Sequence, residues 1–163
     1  MPASVKFWSA TISMSEDSDV VVRPVAAGDR GQWQDLWRLY LDFYGFSADP
    51  IVFDTTFGRL LSGDENEFRG LVAERDGRLL GLTHFLSHRH CWRVQNVIYL
   101  QDLYVDEAAR GLGVGRRLIE AVYAIGDAEE TPMVYWLTQQ SNQTAMQLYD
   151  RIATRTDFIR YQR

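Results

Sequence analysis

The chain has 163 residues, a net charge of −5, and ordinary globular proportions of 46% apolar and 24% charged residues. That length suits one domain with a real core, and the acidic balance argues against general nucleic-acid binding, which calls for a basic patch. No apolar run approaches the roughly 18 residues of a membrane span, and the single cysteine, Cys91, allows no internal disulfide, so a cytoplasmic protein is expected.

Residues 1–18 hold one lysine and no apolar core of a secretory signal; they read as a poorly ordered leader ahead of a domain spanning residues 19–163. A short strand at residues 20–23 is closed by Pro24. Residues 26–44 read as a helix, with Trp33, Leu36, Trp37, Tyr40 and Leu41 spaced by three and four. A second helix is expected over residues 50–61, stopped by Ser62, Gly63 and Asp64. Strands over residues 68–74 and 79–88 flank Asp76 and Gly77, the strongest short hairpin signal in the chain. A central strand at residues 97–105 precedes a helix over 113–126, a strand at 133–137, a helix at 142–152 and a last strand at 158–161. This order predicts a mixed α/β domain with helices on both faces of the sheet.

The central strand runs into Arg110, Gly111, Leu112, Gly113, Val114, Gly115 and Arg116. Glycines between a strand and a helix let backbone N–H groups converge on an anion, and the helix N-terminus adds its own unpaired donors and dipole. A nucleotide-hydrolysing P-loop is excluded, because Gly115 is followed by Arg116 and Arg117 rather than Lys and Ser/Thr. A dinucleotide fingerprint is excluded as well: position 116 is not glycine, and the next strand leads into Thr138, Gln139 and Gln140 rather than an acid.

The arrangement Arg-x-x-Gly-x-Gly, carried by Arg110, Gly113 and Gly115, resembles the acetyl-coenzyme A pyrophosphate loop of the GCN5-related N-acetyltransferases. Asn142, Ala145, Leu148 and Tyr149 resemble the family's Asn-x-x-Ala-x-x-Leu-Tyr helix. The run from Tyr99 to Val105 and the ending around Phe158 to Tyr161 are most similar to the polyamine and yeast histone/polyamine branch. The resemblance implies a mostly antiparallel sheet splayed between its fourth and fifth strands. It further implies acetyl-CoA as cosubstrate, with Leu103, Tyr104 and Val105 along the pantetheine arm, Arg110 to Arg116 at the pyrophosphate, and Asn142 nearby.

Within that resemblance Tyr149 is the candidate general acid, since a phenol can protonate a departing thiolate. The base is less clear. The polyamine branch carries Glu where this chain has Gln101, which accepts no proton, and in a regular strand Asp102 points to the opposite face. Either a bulge swings Asp102 inward, or water carries the proton, or the acceptor amine is less basic. His84, His88 and His90 share strand parity, yet their span of about 20 Å is too long for one ion, so no metal site is expected. His84 is instead weighed as a lining of the acceptor pocket, and the aromatic residues of the first helix as its wall. The expected activity is direct acetyl transfer to a small amine: a polyamine, a diamine or an amino-acid-like molecule. Its rivals are a protein or peptide acetyltransferase and a catalytically weak acyl-CoA sensor. No nucleic acid or membrane partner is expected, and the resemblance of the final segment to dimerising strands implies a homodimer.

Overall fold

The computed structural model describes residues 20–163, so the expected leader lies outside the described residues. Five strands form one sheet in sequence order: β1 (Val21–Pro24), β2 (Arg69–Arg75), β3 (Arg78–His88), β4 (Val97–Val105) and β5 (Val134–Tyr135). Neighbours are antiparallel except β4 and β5, which run parallel. Four helices complete the domain: α1 (Arg30–Phe43), α2 (Pro50–Leu61), α3 (Val114–Ala128) and α4 (Gln143–Ile152).

Local chemistry explains the boundaries. Asp49 accepts a hydrogen bond from the Ile51 amide while Pro50 occupies the first turn of α2, a cap that starts the helix where the sequence expects it. Asp76 (φ 53°) and Gly77 (φ 77°) both adopt the left-handed conformation that a tight hairpin turn requires, and they join β2 to β3. The first helix begins as a 3-10 turn at Ala27–Asp29 before α1. Asp29 is buried there, accepting from the Ala26 amide at 2.8 Å and from both terminal nitrogens of Arg23 at 2.7 and 2.8 Å.

The sheet carries a core on each face. Trp33, Leu36 and Trp37 of α1 and Phe53, Phe57 and Leu60 of α2 cover one face. Leu118, Ile119, Val122 and Ile125 of α3 cover the other, against Leu71, Phe85, Ile98 and Leu100. Burying each such side chain stabilises the fold by about 1.5–3 kcal/mol.

Two expectations are corrected. The strand expected over residues 133–137 is only two residues long, and residues 158–161 form no strand. Phe158, Ile159 and Tyr161 are 80%, 72% and 88% exposed. A strand exists only where a neighbouring edge accepts its ladder bonds, and the two residues of β5 present too short an edge to bind another strand.

Candidate active site

β4 meets β5 only at Ile98 opposite Val134 and Tyr99 opposite Tyr135, with the Ile98 amide donating to Met133 O at 2.8 Å. Beyond Tyr99 the strands part, and the edge of β4 from Leu100 to Val105 has no β5 partner. At the end of β4 the Asp106 side chain accepts from the Ala108 amide at 2.9 Å, fixing the 3-10 turn Glu107–Ala109. That backbone donor, with Arg78 beside it, holds the Asp106 carboxyl below the usual range.

The chain then passes through Gly111 (φ 82°) and Gly113 (φ 72°), and Gly113 begins α3 without any side-chain cap. The first helical bond runs from the Arg117 amide to Gly113 O, so the amides of the first turn are open to an external anion. Arg110 and Arg116 flank this end, held by Glu107 at 3.4 Å and Glu120 at 2.7 Å. Both ion pairs are exposed, and such pairs are worth little, so either cation can turn to an anionic ligand. A Cβ on Gly115 would lie 3.5 Å from Val105 Cγ2 and 3.5 Å from Leu148 Cδ2. The end of β4, the start of α3 and the middle of α4 therefore converge there.

On the far side of the opening, Asn142 caps α4, accepting from the Ala145 amide at 3.4 Å and donating to Thr138 Oγ1 at 3.3 Å. Tyr149 packs edge-on against Trp136, ring centroids 5.3 Å apart. Burial, and next the neighbouring Tyr44, push its hydroxyl up to about 12, so it keeps its proton at neutral pH.

The other wall is decided by an irregularity in β4. Phe85 pairs with Leu100 but His84 pairs with Asp102, which leaves Gln101 as an extra, bulged residue. Leu100, Leu103 and Val105 pack toward α3, whereas Tyr104 packs toward α1. Asp102 turns inward with Tyr104 while Gln101 stays exposed. The bulge weighed from the sequence is thus present in β4, and it turns Asp102 toward α1.

Asp102 is 6% exposed, lodged between β3 and α1. Its Oδ2 accepts from Trp37 Nε1 at 3.1 Å and lies 2.8 Å from His84 Nδ1, while Trp33 Nε1 donates to His84 Nε2 at 2.8 Å. Thr83 Oγ1 donates to the Asp102 carbonyl at 2.8 Å. Burial, then the Asp102 charge, pushes the Tyr40 phenol well above its ordinary value, and the same two causes raise Tyr99. His84 is thus a core residue bonded to the candidate base. His88 instead meets the Tyr135 hydroxyl at 2.9 Å, and His90 accepts from the Trp92 amide at 3.2 Å. Among the described residues no group of three or more metal-ligating side chains comes together, and no helix is long and apolar enough to cross a membrane.

Sequence reasoning missed the roles of Trp33 and Trp37 in this network. The available signal was their i, i+4 spacing, which sets two indole N–H groups on one helix face, opposite a strand carrying an acid that needs donors.

Residues 33–153 match the acetyltransferase (GNAT) family. The chain is 39% identical over 145 residues to the D-amino-acid N-acetyltransferase HPA3 of Saccharomyces cerevisiae, covering 88% of this chain and 90% of that protein. The fold is similar to that of AAC(6')-Iy, solved with the bisubstrate analogue CoA-S-monomethyl-acetylneamine (TM-score 0.78, 17% identity, 90% and 98% coverage). It is also similar to a ribosomal-protein-alanine N-acetyltransferase from Brucella melitensis (TM-score 0.74, 20% identity, 87% and 96% coverage).

Proposed function

The chain belongs to the acetyltransferase (GNAT) family, and on that premise we propose that it moves the acetyl group of acetyl-CoA to the amino group of a small molecule by direct transfer. The observation that carries this reading is the opening between β4 and β5, whose unpaired edge leads straight to the uncapped start of α3. Acetyl-CoA fits that donor set: Arg110 and Arg116 with the first-turn amides for the pyrophosphate, and the Leu103–Val105 backbone for the amide-bearing arm. Asn142 keeps α4, and with it Tyr149, at the opening.

In this mechanism the amine forms a bond to the acetyl carbon while the C–S bond breaks. The ammonium loses one proton, and the departing sulfur gains one. Losing that proton at pH 7 costs an alkyl amine of pKa 10.4 roughly 4.6 kcal/mol. Asp102, brought inward by the bulge, anchors the ammonium and receives its proton; exposed Gln101 contributes its backbone to the bulge. Tyr149 donates a hydrogen bond to the sulfur as it leaves, and the thiolate then takes up its proton from solvent.

The acceptor is a small cationic amine. The name of the yeast relative supports an amino-acid-like one within that class, and the net charge of −5 favours cations. We further place the enzyme in the cytoplasm as a homodimer, in which the exposed Phe158, Ile159 and Tyr161 find cover on a second copy.

The test is isothermal titration with acetyl-CoA, coenzyme A and ATP, followed by thiol release over a panel of amino acids, diamines and polyamines. Micromolar binding of acetyl-CoA but not ATP, with amine-dependent thiol release, is expected. Absence of acetyl-CoA binding would overturn the proposal.

A further inference from the structure

Asp102 and its neighbours hold more information than a candidate base requires. An indole nitrogen only donates, so Trp33 Nε1, 2.8 Å from His84 Nε2, identifies Nε2 as the accepting nitrogen. The ring proton then sits on Nδ1, 2.8 Å from Asp102 Oδ2. In the opposite tautomer an Nε2–H would face an indole N–H, and an Nδ1 lone pair would face the carboxylate; both contacts would repel. Trp37 donates to the same Oδ2. Two N–H donors therefore converge on one oxygen and fix the direction of the carboxyl group, and neither bond engages Oδ1.

We infer that Trp33 and His84 are positioning residues: Trp33 fixes the His84 tautomer, and His84 with Trp37 holds the Asp102 side chain by Oδ2, so that Oδ1, with the Tyr40 hydroxyl beside the carboxyl group, is presented to the acceptor's ammonium. The acceptor class follows, a cationic amine held by one fixed charge beside the aromatic groups of Trp37 and Tyr40. This inference rests on the acetyl-transfer reading for its substrate, but its structural half can be measured without turnover.

The experiment has two arms. In the first, long-range proton–nitrogen NMR correlation on protein labelled with ¹⁵N-histidine reads the tautomer of each of the three histidines, with His84 assigned through His84→Gln. The expected pattern is a protonated Nδ1 and a bare Nε2. Trp33→Phe, which removes the indole donor, moves the His84 Nε2 signal. In the second arm, His84→Leu raises the acceptor KM by about tenfold or more, as expected for a lost hydrogen bond to a charged group, with the acetyl-CoA KM unchanged. His84→Gln, which offers one donor and one acceptor, stays within about threefold of wild type.

A wild-type spectrum showing an Nε2–H or doubly protonated His84 ring overturns the inference, whatever the variants do. So does a His84→Leu enzyme with an unchanged acceptor KM, or with both KM values raised alike. If no amine is acetylated at all, the transfer reading fails, while the NMR arm still decides the network.

Discussion

Tyr149→Phe tests the proposed chemistry by removing one oxygen and little else. No hydrogen bond of the Tyr149 hydroxyl is found among the described residues, and its ring packing on Trp136 survives in phenylalanine. The fold should therefore keep its Tm within a degree or two, and titration should return an unchanged Kd for acetyl-CoA. Turnover is different. With the phenol pushed up to about 12 and a thiol near 8.5, complete proton transfer to the thiolate would be uphill by several kcal/mol. The hydroxyl therefore acts chiefly as a hydrogen-bond donor to the charge building on sulfur. A bond to a charged group is worth about 1.5–3 kcal/mol, which corresponds to a loss in kcat of about 10- to 150-fold. Thiol release under saturating substrates measures it. An unchanged kcat would refute the assignment, and a fall in kcat matched by loss of acetyl-CoA binding would show that Tyr149 shapes the donor site instead.

The loop at the start of α3 makes a separate prediction. A Cβ on Gly113 meets nothing within 4 Å, but its φ of 72° makes Gly113→Ala cost about 1–2 kcal/mol; a fall in Tm with a weakened acetyl-CoA Kd by calorimetry is expected. Asp29→Asn removes the carboxylate gripped by Arg23 and should lower denaturant stability by about 1–3 kcal/mol. Arg23 holds the Asp29 carboxyl below 3.8 in the folded state, so near that pH the unfolded chain binds more protons. Its contribution is complete above about pH 4 and fades as pH falls through the folded value. Acid unfolding monitored by circular dichroism should therefore show a shallower loss in Asp29→Asn than in wild type. Charged substitution of the exposed tail, Phe158→Asp with Ile159→Asp, should convert the proposed dimer to monomer by light scattering; a mass unchanged from wild type would remove the tail from the interface.

Much of the architecture is local and so legible in the chain. Asp76 and Gly77 make their turn from their own backbone preferences, Asp49 and Pro50 start α2, and the glycines at 111 and 113 shape the uncapped end of α3 with no help from distant residues. The apolar spacing of α1 and α3 likewise foretells which faces are buried. These features suffice for the fold and for the proposed donor half of the site. The acceptor half depends on register between segments far apart in sequence. Whether Asp102 faces α1 or α3 turns on one unpaired residue, Gln101, and a bulge is a property of the β3–β4 ladder that alternation along β4 alone cannot reveal. The partners of Asp102 come from α1 and β3, 65 and 18 positions away in the chain, and only packing brings those donors to one oxygen. The shortness of β5 and the unpaired tail were hidden for the same reason: strands are defined by the edges they meet. Sequence alone thus determined the family's frame and the glycine turn proposed for the pyrophosphate; tertiary structure decided that Asp102 rather than Gln101 turns toward α1, because side-chain direction in a sheet is set by pairing rather than by residue type.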